Sequence, residues 1–167
     1  RQVKSGAVSC RHVVEEYRRM QQALDPTLHA ITTWNDRVLS EADRLDRVPV
    51  WQRGSLHCVP VVVKDNIDVA GLPTSVGAQG LAGTVATQNA EIVTRLLDAG
   101  AIVLGKSNLP DFALDGTNTL SSVAGQTRNP YGPWQQTPIP DLKPQGDHSI
   151  YALNAAVGCK NSTTLST

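Results

Sequence analysis

The chain has 167 residues, of which 40% are hydrophobic, enough for one ordinary domain or for part of a larger one. Its 15 basic and 15 acidic residues cancel, so the charge attraction behind most binding to nucleic acids or anionic membranes is absent, and we expect neither as a partner. Apolar runs are too short for a membrane span, and the first residues lack the apolar core of a secretory signal. The expected location is the cytoplasm.

The three cysteines, Cys10, Cys58 and Cys159, are odd in number and widely spaced. Their spacing resembles neither a disulfide framework nor a CxxC metal clamp, so we expect reduced thiols. A zinc ion shared by Cys10, His12, His57 and Cys58 is a minor alternative, because neither pair has the spacing of a familiar zinc module. The cysteines therefore do not predict a zinc site.

Two amphipathic helices are predicted in the first third of the chain. The first begins after Ser9, which can cap free backbone amides, and ends near Asp25-Pro26. The second covers about residues 35–45. The apolar residues expected to mark their inner faces are Val13, Val14, Tyr17 and Met20 in the first helix, and Val38, Leu39, Ala42 and Leu45 in the second.

A strand, helix and strand follow. Residues 59–63 are apolar and rich in valine, which predicts a strand buried on both faces, and the glycine-rich segment 71–83 predicts a loop. Residues 90–97 have the pattern of a helix with Ile92, Val93, Leu96 and Leu97 on its inner face. Gly100 ends this helix, and residues 101–104 form a second buried strand. Two strands joined in this way should be parallel, with a right-handed crossover.

The first strand ends abruptly on Lys64, and this makes Lys64 the candidate catalytic residue. Ligands bind at the carboxyl ends of strands in parallel sheets. A partly desolvated ammonium at that position would lose the solvation that stabilises its charge, so that a neutral amine could act as a base. Lys106 should lie at the same edge and face the same crevice. The alternative is an ordinary surface lysine at the end of a strand.

The C-terminal part has weaker patterns. Residues 110–114 could form a short helix, and beyond Gly116 the pattern dissolves into Ser, Thr, Gly, Asn and Pro. We predict one ordered unit over residues 5–138 and a divergent, poorly ordered tail over residues 139–167.

Residues 100–107, Gly-Ala-Ile-Val-Leu-Gly-Lys-Ser, satisfy the phosphate-loop pattern GxxxxGK[ST]. The four middle residues of such a loop must curl around phosphate oxygens, and a helix must follow at once. Ala-Ile-Val-Leu instead favours a strand, and Pro110 opposes a helix that begins at Lys106. The pattern therefore does not predict a nucleotide site.

Four blocks of the sequence resemble, in order and spacing, the amidase signature family. They are LHCVPVVVKDNI at 56–67, GLPT at 71–74, GAIVLGKSN at 100–108 and GQTRNPY at 125–131. The resemblance covers about residues 5–138, the N-terminal portion of such a domain, and does not include the tail.

The resemblance implies an α/β fold, a partial α/β/α sandwich around a mixed sheet. It also implies hydrolysis of the C–N bond of a small-molecule carboxylic amide by a Ser-Ser-Lys triad, without metal or organic cofactor. In the family, the lysine matched by Lys64 takes a proton from a serine held on a cis peptide. That serine activates the nucleophilic serine, and backbone amides of a glycine-rich loop stabilise the oxyanion.

The sequence departs from the family where the serines should be. The glycine- and serine-rich signature should follow the Asn-Pro-Tyr block closely, but residues 138–145 read Pro-Ile-Pro-Asp-Leu-Lys-Pro-Gln. Ser121 and Ser122 match a loop before the signature, so we expect them to be structural or solvent-facing. Cys58 stands where the family usually has glycine, a second departure that could distort the start of the strand.

Three hypotheses remain open. The first is a truncated and inactive amidase that keeps only Lys64 of the triad. The second is a non-catalytic binding or interaction module that retains the amidase N-terminal half. The third is an active hydrolase with another nucleophile near Lys64. A partial sheet would also have unpaired edges, so self-association through them is expected.

Overall fold

The computed structural model describes residues 2–114 and 119–130. The helices are α1 (Gln2–Ser5), α2 (Cys10–Leu28), α3 (Val38–Asp46) and α4 (Glu91–Asp98). The strands are β1 (Ile31–Trp34), β2 (Pro60–Lys64), β3 (Ile102–Ser107), β4 (Leu120–Ser121) and β5 (Gly125–Gln126). The predicted tail, residues 139–167, lies outside the described residues, as does the predicted boundary at 138.

The described residues form a mixed three-stranded sheet in the order β1-β3-β2. Strand β3 is parallel to β2, which confirms the predicted pair, and antiparallel to β1. The sequence did not predict β1, because four residues with two threonines in the middle carry too little alternation to identify a strand. Strands β4 and β5 form a separate antiparallel pair.

Helices cover both faces of the sheet. Helices α2 and α3 pack on one face, and α4 packs on the other, which confirms the partial α/β/α sandwich. We call the buried cluster under α2 and α3 the first core: Cys10, Val14, Val38, Ala42, Leu45, Cys58, Ile102 and Leu104. The second core lies under α4: Val63, Val69, Leu72, Val93 and Val103.

A β-bulge in β3 interrupts its pairing with β2. Val61 lies opposite Val103, whereas Val62 lies opposite Gly105, so Leu104 is an extra residue in β3. Gly105 also lies close to β1, and a Cβ atom there would clash with the carbonyl oxygen of Thr33. Glycine is therefore the one residue that fits at this position without backbone movement.

The bulge decides which way the two lysines point. Beyond it, Val63 lies opposite Lys106, and Lys64 lies opposite Ser107. Residues opposite each other on neighbouring strands share a face. Since Val63 belongs to the second core, Lys106 points to the α4 face and Lys64 to the other face. Both lysines lie at the predicted edge, but the prediction that they face one crevice is wrong.

Helix α2 begins as predicted and ends later. The hydroxyl of Ser9 accepts a hydrogen bond from the amide of His12 at 3.1 Å, which confirms the cap. The helix continues past Pro26 to Leu28 because the Asp25 carboxylate accepts hydrogen bonds from two amides just beyond the helix end, those of Ala30 at 2.7 Å and Ile31 at 3.2 Å.

The predicted inner face of α2 is only half right. Val14 is fully buried, but Tyr17 is 44% exposed and Met20 is 55% exposed. Helix α3 has 9 residues against the 19 of α2, so it can cover only part of its neighbour. On α4, Val93 is buried as predicted, whereas Ile92 is 60% exposed.

The prediction of reduced thiols is wrong for two cysteines. Cys10 and Cys58 form a disulfide with a Cα to Cα distance of 5.6 Å. The pairing also removes the zinc alternative, because both sulfur atoms are used. The two residues are 48 positions apart, and they meet because the first turn of α2 and the segment before β2 both enter the first core. Spacing alone could not show this proximity.

Candidate active site

Lys64 occupies the carboxyl end of β2, where the sequence placed it. Its side chain is exposed, although its neighbours Val63 and Asp65 are both buried. The partial burial predicted for Lys64 is therefore not found among the described residues. The reason is that β2 is an edge strand of the described sheet, and an edge strand has a neighbour on one side only.

The buried lysine at this edge is Lys106, which has no exposed surface. Its Nζ donates hydrogen bonds to the carbonyl oxygen of Pro73 at 2.8 Å and to Oγ1 of Thr74 at 3.2 Å. It also lies 3.4 Å from Oδ1 of Asp65. Burial lowers the pKa of Lys106 below its usual value, and the negative charges of Asp65 and Asp68 oppose that shift.

Asp65 connects the end of β2 to the loop that follows. Its carboxylate Oδ2 accepts hydrogen bonds from the Ser75 hydroxyl and, at 3.2 Å, from the Ser75 amide. Its own amide donates to the carbonyl oxygen of Ser107 at 3.1 Å. We call Asp65, Ser75 and Lys106 the buried clamp, since together they fasten the loop after β2 to the end of β3. Hydrogen bonds of this kind offset the desolvation cost of a buried ion pair.

The two serines that follow β3 are part of the scaffold. The Ser122 hydroxyl donates to the carbonyl oxygen of Gly77 at 3.2 Å and accepts from the amide of Gln79 at 2.8 Å, while its amide donates to Oδ1 of Asp111 at 2.8 Å. Ser121 is buried, and its hydroxyl accepts from the backbone amide three residues ahead. The predicted structural role of both serines is confirmed.

Asn108 joins the β4-β5 pair to the rest of the fold, a role that sequence reasoning missed. It is fully buried immediately after β3. Its Nδ2 lies within hydrogen-bond distance of four oxygen atoms: the carbonyls of His29 (3.3 Å), Thr119 (3.2 Å) and Gly125 (2.9 Å), and Oγ1 of Thr127 (3.0 Å). The only sequence signal was its place in the Gly-Lys-Ser-Asn block.

Other kinds of site are not supported within the described residues. No group of three or more His, Cys, Asp and Glu side chains there could hold a metal ion. Residues 102–107 of the phosphate-loop pattern form β3, which confirms a strand here but extends it beyond the predicted residues 101–104. In the described ranges, no helix has the length and apolar character that crossing a membrane requires.

Comparisons with known proteins identify a family for this chain. The sequence model of the family described as Amidase matches residues 12–137, most of the chain and both lysine-bearing strands. The chain belongs to the amidase family. The predicted resemblance, which ended at residue 138, is thereby confirmed.

Curated relatives match this chain over a minor part of their own length. The chain is 37% identical over 137 residues to a glutamyl-tRNA(Gln) amidotransferase subunit from Methanosarcina acetivorans, covering 82% of the chain and 28% of that protein. It is 31% identical over 166 residues to the subunit of the same name from Prochlorococcus marinus, covering 98% of the chain and 33% of that protein. The chain therefore spans about a third or less of these relatives.

Solved structures give the same result. Native peptide amidase from Stenotrophomonas maltophilia has a TM-score of 0.72 and 38% identity, with 78% of this chain and 28% of that chain covered. An amidase family protein from Bacillus anthracis has a TM-score of 0.71 and 34% identity, with 79% and 28% covered. The described fold is thus the amidase fold over its N-terminal portion.

Proposed function

We propose that Lys64 is the proton-accepting lysine of an amide-hydrolysing site whose reaction is cleavage of a carboxylic amide C–N bond. The observation that carries this proposal is the position of Lys64, the last residue of β2 at the carboxyl edge of a fold shared with solved amidases. This edge is the place where α/β sheets bind ligands. The buried clamp begins one residue later and restrains the backbone next to Lys64.

The proposed chemistry assigns Lys64 one step. Its neutral amine accepts a proton from a serine hydroxyl, which then activates a second serine to attack the amide carbonyl. The resulting acyl-enzyme is hydrolysed by water. A lysine acts as a base only where its surroundings disfavour its charge, so the exposed Lys64 side chain must be covered when the site is complete.

We propose that the 167-residue chain does not hydrolyse amides on its own. The sequence has no Gly-Ser-Ser-Gly-Gly-like segment after the Asn-Pro-Tyr block, and residues 138–145 contain no serine. The hydroxyls of Ser121 and Ser122 are engaged in the scaffold. Of the three triad members, the chain supplies the lysine.

A small-molecule amide is the substrate class that we favour over a nucleic acid. The curated relatives are named for glutamyl-tRNA, but the basic and acidic residues of this chain balance at 15 each. Without a positive excess, long-range attraction to a polyanion is weak. A filter-binding titration with unmodified tRNA at low salt should show no retention, and saturable retention would contradict this choice.

Self-association is proposed through the sheet edges. Strands β1 and β2 each have one unpaired side in the described sheet, and such edges pair readily with other chains. Multi-angle light scattering should detect dimers or larger species, whereas a monodisperse monomer would contradict the proposal. The cytoplasmic location stays a prediction. The Cys10–Cys58 disulfide argues against it, because cytosolic proteins rarely keep disulfides.

The first experiment tests the chain alone. Purified protein is incubated with small aryl amides and separately with a serine-directed fluorophosphonate probe. We expect neither turnover nor labelling. Turnover by the parent chain that disappears in Lys64→Met would show that the chain supplies its own nucleophile, and it would overturn the proposed inactivity.

The second experiment tests Lys64 in a complete site. Residues 2–130 replace the matching segment of the Stenotrophomonas maltophilia peptide amidase, and the chimera is assayed on amide substrates. Lys64→Met should lower kcat/KM by at least about 100-fold, the usual contribution of a general base. Lys4→Met, a change at an exposed lysine, is the matched control and should leave it unchanged. Equal activity of all three folded chimeras would refute the role of Lys64.

A further inference from the structure

The Cys10–Cys58 disulfide links two layers of the fold. Both residues lie in the first core, where Cys10 is 0% exposed and Cys58 is 2% exposed. Cys10 is the first residue of α2, and Cys58 lies two residues before β2. The bond therefore ties the start of a helix to the start of the strand that ends with Lys64. This arrangement is independent of any amide chemistry.

The backbone at Cys58 is in a conformation that favours glycine. Its φ is +55°, in the left-handed region, where a side chain with a Cβ atom is disfavoured. The amide of Cys58 donates a hydrogen bond to the carbonyl oxygen of Gly100 at 2.7 Å, which holds this residue against the turn after α4. Something must compensate for the unfavourable backbone conformation, and the covalent bond to Cys10 is placed to do so.

The other end of the bond is also held in place. The amides of Cys10 and Arg11 donate to the two carboxylate oxygens of Asp46 at 2.6 Å and 3.0 Å, so the first turn of α2 is attached to the end of α3. Two anchored segments thus present their thiols to each other, and closing the disulfide needs little rearrangement. When the disulfide is reduced, only hydrogen bonds hold each of the two segments in place.

We propose that Cys10 and Cys58 form a redox-controlled staple that fixes the start of β2 to α2. The staple closes by exchange with a small disulfide such as oxidised glutathione. The two thiols lose two protons and two electrons and form one S–S bond, while the S–S bond of the small disulfide breaks to give two thiols. A thiol reductant drives the reverse reaction. Because both sulfur atoms are buried, native-state reduction requires local opening and is slow.

The first test compares the oxidised and reduced protein. Cys159→Ser removes the third thiol, and mass spectrometry after alkylation verifies which state is present. Reduction should lower Tm by about 10 °C, given a closed loop of this length in a domain of this size. Oxidised glutathione should restore the bond and the Tm. An unchanged Tm with both thiols verified, or thiols that do not reoxidise in the folded protein, would overturn the proposal.

Two matched variants separate the staple from the side chains. Cys10→Ala/Cys58→Ala and Cys10→Ala/Cys58→Gly both lack the disulfide, and neither should respond to reductant. Glycine accepts the φ of +55°, so the glycine variant should melt a few degrees higher, by about 3 °C, although it has the smaller side chain. An alanine variant of equal or higher Tm would show that position 58 carries no strain for the staple to compensate.

Hydrogen exchange tests whether the effect is local. Reduction should speed exchange at the amides of Arg11 and Cys58 by at least about tenfold, while the amide of Val103 at the sheet centre stays protected. A uniform increase across all three would show that the disulfide contributes only global stability. Local acceleration is the result that a staple requires.

Discussion

Two tripeptides at the ends of the two parallel strands share their first and last residues: Lys64-Asp65-Asn66 at the end of β2, and Lys106-Ser107-Asn108 at the end of β3. All three residues of the β3 tripeptide are buried. In the β2 tripeptide, only Asp65 is buried, and Lys64 and Asn66 are exposed. The residue type therefore does not determine the role of either lysine.

The difference arises from the position of each strand in the sheet. Strand β3 is central, with β1 on one side and β2 on the other, and every residue in it is buried. Strand β2 is an edge of the described sheet. The bulge at Leu104 then turns Lys106 toward the α4 face, where Asp65 can meet it. The central lysine thus holds the scaffold together, whereas the edge lysine is the one for which we propose a chemical role.

The largest expected contrast is between the two lysines. Lys106→Ala should lower the free energy of unfolding by about 3–5 kcal/mol, because it leaves the buried Asp65 carboxylate without a cation. Lys64→Ala, the matched control at an exposed position, should change it by less than about 0.5 kcal/mol. Urea unfolding followed by circular dichroism measures both. Equal losses of unfolding free energy would show that Lys64 and Lys106 contribute equally to stability.

A second pair of variants tests whether the loss of stability on removing Lys106 comes from the unpaired charge of Asp65. In Lys106→Met the hydrocarbon stem is largely kept, but Asp65 loses its cation. Adding Asp65→Asn removes the remaining charge and keeps an oxygen that can accept from Ser75. The double variant should be more stable than Lys106→Met alone by about 1–3 kcal/mol. If the two losses simply add, the ion pair is not what couples these residues.

The two asparagines provide the next contrast. Asn108→Ala should cost about 1–3 kcal/mol, because the carbonyl oxygens of His29, Thr119 and Gly125 lose the amide donor that Nδ2 supplies. It should also release the β4-β5 pair, so that the Thr127 amide exchanges faster. Asn66→Ala removes an exposed side chain and should change stability by less than about 0.5 kcal/mol. A β4-β5 pair that stays protected in Asn108→Ala would contradict the proposed anchor.

The sequence predicted the regular parts of the fold for a clear reason. Helices α3 and α4 follow a helical hydrophobic period, and β2 and β3 contain continuous apolar runs. The order of strand, helix and strand implied parallel pairing. Lys64 was placed correctly at its strand end by the same logic. The exposure of Lys64 was not predicted, because the sequence of a strand does not show how many neighbouring strands it has.

The remaining features depend on contacts between distant parts of the chain. The bulge at Leu104 leaves no pattern in the sequence, so the parallel arrangement alone predicted that Lys64 and Lys106 face one crevice. The disulfide joins residues 48 positions apart, and widely spaced cysteines argued against it. The role of Asn108 was not predicted, because its hydrogen bonds reach segments far before and after it in the chain.

The smallest expected effect is the pH dependence of stability that Lys106 causes. Burial holds the pKa of Lys106 in the folded chain below its ordinary value of 10.5. Between the lowered pKa and 10.5, the unfolded chain binds a proton that the folded chain does not, so stability rises with pH in that window. The slope from this group is at most about 1.4 kcal/mol per pH unit. Above 10.5 the Lys106 contribution is constant.

Urea unfolding of the parent chain and of Lys106→Met, repeated from about pH 8 upward, isolates that slope, because tyrosines and other lysines titrate in both proteins. The parent should gain stability with pH relative to the variant. Lys106→Met/Asp65→Asn serves in its place if the single variant is too unstable to measure. Lys64→Met, a change at an exposed lysine, is the matched control. A parent chain without the extra slope would mean that Lys106 enters the fold without losing solvation, and the contrast between the two strand ends would then have another cause.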